Sequence, residues 1–275
     1  MPTIRPLTTA DTADCLAMTA DRGWRYPPER WRFLLANAEV FGCDDPAGGL
    51  AGAVLLARYK PKLAAIGTLL VATRHSRTGL GTRLMRYVLE LAGSSTTFLY
   101  ATPMGRPLYE KLGFQPVHTV AALTGRFAAD DIPDATRAAG PADLAAITRL
   151  DAEVFGADRS ALLAALPGYA RHLRVMESAG RITGFVAALP GVDQTYVGPL
   201  VAASDADART LITSVAGRSD DPVRLDLDRS RAGLVRWLTE RGLADVTGHP
   251  LMVLGDGALP GDRSRLVLPL MSALG

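Results

Sequence analysis

Leu69-Leu70-Val71-Ala72-Thr73-Arg74-His75-Ser76-Arg77-Thr78-Gly79-Leu80-Gly81-Thr82 reads as an apolar strand that runs through a glycine loop directly into a helix. A helix start leaves its first backbone N–H groups without partners, and the helix dipole adds positive potential there, so an anionic phosphate binds well at such a place. Gly79 and Gly81 lack side chains, which lets a ligand approach the backbone closely and permits φ > 0. Further along comes Arg106-Pro107-Leu108-Tyr109-Glu110-Lys111-Leu112-Gly113-Phe114. This is a short helix carrying a tyrosine, with Gly113 placed to end it and Phe114 placed to anchor it in a core.

The residues after the glycines exclude other kinds of phosphate loop. No Gly-Lys-Ser/Thr is present, so this is not a P-loop, and Arg83 and Leu84 occupy the region where a dinucleotide fingerprint has its third glycine. A Gly-x-Gly alone is a weak signal, but its pairing with the tyrosine helix is specific. Together the two stretches resemble the acetyl-CoA site of the GNAT (GCN5-related) N-acetyltransferases. The resemblance implies that Ser76, Arg77, Thr78, Gly79, Leu80, Gly81 and Thr82 cradle the pyrophosphate. It implies that the backbone of Leu70 and Val71 pairs with the pantetheine arm, in the manner of an added strand, with the Val71 N–H facing the developing oxyanion. Thr102 and Arg106 fall near the cofactor, and Tyr109 matches the tyrosine that protonates the departing thiolate. The bland alternative for Tyr109 is a core residue behind its helix. Two positions depart from the family pattern: Ser76 stands where the motif has Arg or Gln, with Arg77 or Arg74 available to replace the charge, and Thr102 stands where Asn is common.

The chain has 275 residues, 48% hydrophobic and 21% charged, with a net charge of +2. This is a globular composition long enough for two domains. Residues 1–134 hold 15 Lys/Arg against 12 Asp/Glu, and the rest hold 15 against 16. That bias suits an anionic cofactor and is too weak to argue for nucleic acid. Cys15 and Cys43 have neither metal nor redox spacing, and read as reduced thiols. No apolar run approaches the 18 or so residues of a membrane span, and the N-terminal residues show no signal-peptide pattern. The resulting expectation is a cytoplasmic protein without metal, nucleic-acid or membrane partners, acting as a monomer or homodimer.

Periodicity places strands at 3–8, 40–43, 52–59, 64–71, 98–101 and 117–123. Helices are placed at 11–20, 28–36, 81–92 and 106–112, the third with Leu84, Val88 and Leu91 on one face. Residues 128–141 read as a linker, after which the same order of elements recurs: strand 136–139, helices 141–151 and 159–166, strands 173–177, 180–188 and 196–202, helix 205–216, strand 223–227 and helix 234–241. The resemblance to a two-domain GNAT subfamily implies a closing strand over Ser264–Gly275. The fold expected is α/β: two tandem GNAT-like domains, each a mixed, largely antiparallel sheet flanked by helices. Residues 1–130 would bind acetyl-CoA and catalyse; residues 136–275 resemble a degenerate GNAT-like domain. At the place of the glycine loop the second half has Ser204-Asp205-Ala206-Asp207, which repels a pyrophosphate.

The activity implied is direct transfer of acetyl from acetyl-CoA to an amine, a small-molecule acceptor being favoured. A non-catalytic acyl-CoA-binding or regulatory module and a protein or peptide N-acetyltransferase are the alternatives. Amine attack needs a base, yet the strand Ala64–Val71 has no ionisable side chain; only Thr68 could hold a water there. Candidates elsewhere are Asp21, Glu29 and Glu39, and from the second half Asp193, Asp226 and Asp228. Trp24, in Asp21-Arg22-Gly23-Trp24, falls on the acceptor side and reads either as a wall of that site or as core.

Overall fold

A computed structural model describes residues 3–129, 135–255 and 257–275. Two runs of elements follow in the same order. The first comprises β1 (Ile4–Leu7), α1 (Thr12–Asp21), α2 (Pro28–Asn37), β2 (Glu39–Asp44), β3 (Leu50–Tyr59), β4 (Leu63–Val71), α3 (Leu80–Ala92), β5 (Thr96–Tyr100), α4 (Arg106–Lys111) and β6 (Phe114–Gly125). The second comprises β7 (Thr136–Ala138), α5 (Leu144–Phe155), α6 (Ser160–Tyr169), β8 (His172–Ser178), β9 (Arg181–Pro190), β10 (Thr195–Val201), α7 (Asp205–Ala216), β11 (Val223–Asp228), α8 (Ala232–Glu240) and β12 (Ala244–Leu254), followed by the short β13 (Leu266–Leu268). Of the expected linker, residues 130–134 lie outside the described residues.

The two runs share one sheet, in the order β1-β2-β3-β4-β5-β12-β6-β11-β10-β9-β8-β7, with β13 attached to β10. The pairings are antiparallel except β4–β5 and β10–β11. The last strand of each half is thus inserted into the other. β12 lies between β5 and β6, with Leu251 opposite both Tyr100 and His118. β6 in turn lies between β12 and β11, with Val120 opposite Asp228. The periodicity reading contains no strand over 244–254. Asp245, Gly248 and Pro250 interrupt its alternation, and β12 is held instead by pairing along both edges.

Each half covers its part of the sheet with helices. On α3, Leu80, Leu84, Met85, Val88 and Ala92 are buried against β3 and β4. Leu91, expected on that face, is exposed; the helix carries Ala92 into the core instead, one step around. Truncating such a packed Leu to Ala costs about 2–5 kcal/mol. A second core is common to both halves. It joins Trp31 and Leu34 of α2 with Leu163 and Leu166 of α6, Phe155 of α5, and Leu270 to Leu274 of the final segment. Phe33 stacks on Tyr169 across it with ring centres 4.3 Å apart. Cys15 and Cys43 are free and buried. Among the described residues no helix is long and apolar enough to cross a membrane.

Candidate functional site

The site grows from the place where β4 and β5 part. They pair in parallel over Leu63–Ile66 only, and beyond that point β4 turns away. A bulge marks the departure: between the β3 partners Ala53 and Leu55, β4 carries the extra residue, and Thr68 takes φ 49°. Further along, the Ala72 N–H donates to Ala51 O at 2.9 Å. By the alternation of an antiparallel ladder, the Val71 N–H therefore faces the opened β5 side.

The chain then crosses the loop into α3. Gly79 is the N-cap, at φ 85° in the left-handed region, and no side chain caps the helix. Its first N–H groups are left for a ligand. At Gly81 a Cβ would meet only ordinary contacts, 3.5 Å from Leu108 and 3.6 Å from Val71, so the fold itself leaves room for a side chain there. A groove of about 1080 Å³ runs along these elements. Of the residues expected at the cofactor, Leu70, Val71, Ser76, Arg77, Gly79 and Leu80 line it, as do Gly81, Thr82 and Thr102. Thr78 and Arg106 do not: the Thr78 hydroxyl donates to His75 O at 2.7 Å, and Arg106 pairs with Glu110 at 2.7 Å. Arg74 is drawn off to Asp45, at 2.5 Å, which also bonds His75. The Ala47 N–H, His75 and Arg74 hold the Asp45 carboxyl far below the usual carboxylate range. Arg77 is the loop arginine left at the groove.

Tyr109 closes the inner end. It is buried on α4, edge-on to Phe114 with centres 6.1 Å apart, and burial pushes its phenol up to about 12. Past it lies a second cavity of about 400 Å³, lined from both halves. Trp24, Leu69, Thr102, Tyr109 and His249 border both cavities, so these five residues are where the two spaces meet. The floor is the final segment. Gly67 has no side chain because Ala273 packs there: a Cβ would lie 2.5 Å from the Ala273 Cα. The Thr68 hydroxyl lines this cavity, buried and without a hydrogen-bond partner.

Of the six carboxylates considered as bases, Asp226 alone lines this cavity, and Arg224 holds it at 3.1 Å. Asp21 accepts from the Thr73 N–H at 2.7 Å, which lowers its pKa and ties it to the loop. Glu39 pairs with Arg58 across β2 and β3, Glu29 faces Arg32, and Asp193 binds Arg25. Asp228 stands 3.8 Å from His118 in a neighbouring cavity. His249, opposite Val120 on the inserted β12, is the site residue that periodicity does not reveal, because the pattern of its strand is broken.

The second half repeats the bulge and fills the gap. β10 pairs with β11 over Thr195–Val197, then shifts register at Gly198-Pro199. There β13 takes the place beside β10, Leu200 opposite Leu268 and Val201 opposite Leu266. At α7 the Ser204 hydroxyl accepts from the Asp207 N–H at 3.1 Å, and Asp205 and Asp207 sit in the first turn.

Sequence comparison gives the class, the acetyltransferases. The chain belongs to the GNAT acetyltransferase family: residues 31–116 and 147–267 each match a model described as an acetyltransferase (GNAT) domain. It is similar to an uncharacterized N-acetyltransferase, YitH, of Bacillus subtilis, with 25% identity over 270 residues and 94% of each chain covered. Solved structures share the fold. A candidate acetyltransferase from Pyrococcus horikoshii superposes with TM-score 0.82 at 21% identity, covering 99% of this chain and 95% of the other. A tandem GNAT protein from the clavulanic acid biosynthesis pathway gives 0.67 at 14%, covering 94% and 99%.

Proposed function

We propose that the chain transfers the acetyl group of acetyl-CoA directly to the amine of a small molecule. The observation that carries this reading is the meeting of two cavities at Trp24, Leu69, Thr102, Tyr109 and His249. One is a long groove whose uncapped helix start and outward-facing strand amide suit a pyrophosphate and an amide-bearing arm. The other is a cavity of about 400 Å³, in the range of small-ligand pockets. In this reading residues 1–130 hold acetyl-CoA, and residues 136–275 complete the acceptor space.

Acetyl-CoA supplies an activated thioester, and the protein's own groups do the rest. The Val71 N–H, which faces the opened side of β4, donates to the oxygen that gains charge as the amine attacks. Tyr109, protonated at neutral pH, donates to the departing sulfur. The low dielectric that raises the phenol also raises the proton affinity of a thiolate formed beside it, so the two remain matched. His249 at the junction accepts the proton of the amine; imidazole is the side chain whose reference pKa lies nearest neutrality. A screen of small amines with acetyl-CoA, read by CoA release, tests the reading. Acceptor-dependent release that falls with Tyr109→Phe supports it, and no release with any amine overturns it.

A further inference from the structure

Arg30 has no part in the acetyl transfer itself, yet it is 5% exposed in the wall of the acceptor cavity. A guanidinium taken out of water is costly unless paired. The other two arginines lining this cavity have carboxylates: Arg25 binds Asp193 at 2.7 Å and Arg224 binds Asp226 at 3.1 Å. Arg30 forms no ion pair among the described residues; Glu29, its neighbour, faces Arg32. Its Nε–H is buried without a hydrogen-bond partner. What holds it is a set of tyrosines: the guanidinium lies 4.0 Å from the ring centre of Tyr26 and 4.8 Å from that of Tyr196, whose side chain it also hydrogen-bonds. Ring faces stabilise the cation and leave in-plane donors for an acceptor. The same cavity contains a second unsatisfied group, the Thr68 hydroxyl on β4.

A buried, pre-stacked guanidinium without a carboxylate is the arrangement that a planar anion completes, since a carboxylate accepts two parallel N–H bonds from one arginine. We propose that the acceptor is an amine bearing a carboxylate, that Arg30 binds this carboxylate, and that Thr68 bonds a polar group nearer the amine. The inference rests on the acetyl-transfer reading for the amine and on Arg30 alone for the anion.

Two measurements test the two parts separately. The first compares matched acceptors with acetyl-CoA: amino acids, their primary amides, the corresponding decarboxylated amines, and aminoalkyl phosphonates. The carboxylate members are expected to exceed their amides in kcat/KM by at least about tenfold, the size of a charge-assisted hydrogen bond. Arg30→Met should abolish that preference, lowering kcat/KM for the acids by much more than for the amides. Equal use of acid and amide, or preference for the phosphonates, overturns the proposal. The second measurement is thermal shift with carboxylic acids that lack the amine, against their amides. Acids should raise the melting temperature of the wild-type protein and not of Arg30→Met; equal shifts overturn the proposal whatever the turnover. Because the buried charge lacks a carboxylate partner, Arg30→Met itself should fold with an unchanged or higher melting temperature. Arg30→Lys, which keeps the charge and loses the fork, provides the folded control and should retain only part of the preference.

Discussion

The two halves carry the same order of elements and the same bulge, and they differ in what occupies the gap beyond it. In the first half β4 leaves β5 after Ile66, and the space beside it is an open groove under an uncapped helix start. In the second half β10 leaves β11 after Val197, and β13 fills the space. The helix start there is satisfied by Ser204 and carries Asp205 and Asp207. In the proposed reading, acetyl-CoA occupies the open gap between the parted strands and the bare helix end, the two features the second half does not offer. The second half keeps the parted strands and the architecture, with β13 bonded in the gap and Ser204 capping the helix.

The sharpest way to break the comparison is to separate the halves. If the first half were self-sufficient, residues 1–130 alone would fold and bind CoA. The sheet argues otherwise: without β12, β5 and β6 lose the strand between them, and Trp31 and Leu34 lose the α6 side of their core. The expected result is loss of cooperative unfolding and of CoA binding in calorimetry. A folded fragment with full kcat/KM would show that the reciprocal insertion is dispensable.

A smaller but still large effect is expected when the first loop is given the character of the second. Gly79→Asp must adopt φ 85°, and both Gly79→Asp and Gly81→Asp bring a carboxylate to the proposed phosphate position. Affinity for CoA should fall by roughly 100-fold or more in the double variant, two charge-assisted contacts being exchanged for repulsion. The wild-type chain should bind one CoA. A stoichiometry of two would mean that the β13-filled half also binds.

How much of this was legible in the sequence depends on which forces are local. The loop, the α3 start and the tyrosine helix depend on glycine placement and short-range periodicity, and the structure has all three where the residues indicate. The repeated order was legible for the same reason. The insertion of β12 was not, since a strand paired on both edges needs no alternation of its own, and His249 was lost with it. Arg30 was missed because a charge on a helix between Glu29 and Trp31 reads as surface. A signal was present: Arg30 lies four residues before Leu34, on the buried face of α2.

Chemistry at the junction gives the next effect. Tyr109→Phe should lower kcat by roughly 10- to 1,000-fold with little change in CoA affinity, and His249→Gln should lower kcat by roughly 10- to 1,000-fold. Because burial raises the Tyr109 phenol to about 12, it remains a donor below that pH and is lost only as pH climbs through that value. The wild-type kcat should therefore show no alkaline loss centred near 10, the ordinary value for tyrosine. A limb at about 10 that vanishes in Tyr109→Phe would place the phenol in water and move the boundary between the two cavities.

The smallest effect belongs to the second helix start, and it separates a cap from a binding site. Ser204→Ala removes the hydroxyl that accepts from the Asp207 N–H, a contact at 3.1 Å. Losing an N-cap of this kind costs about 0.5–2 kcal/mol, so the melting temperature should drop by a few degrees for a chain this long. CoA affinity, stoichiometry and kcat should stay at wild-type values, because the cap serves α7 and β13 already fills the gap beside β10. Even Asp205→Gly with Asp207→Gly, which restores an uncharged helix start, should create no second CoA site while β13 remains beside β10. A second site appearing in that double variant would show that charge alone had closed the second half and that the filled gap was incidental. The absence of one, together with the loss of binding in the Gly79 and Gly81 variants, would assign the difference between the halves first to the filling of the gap by β13 and then to the loop.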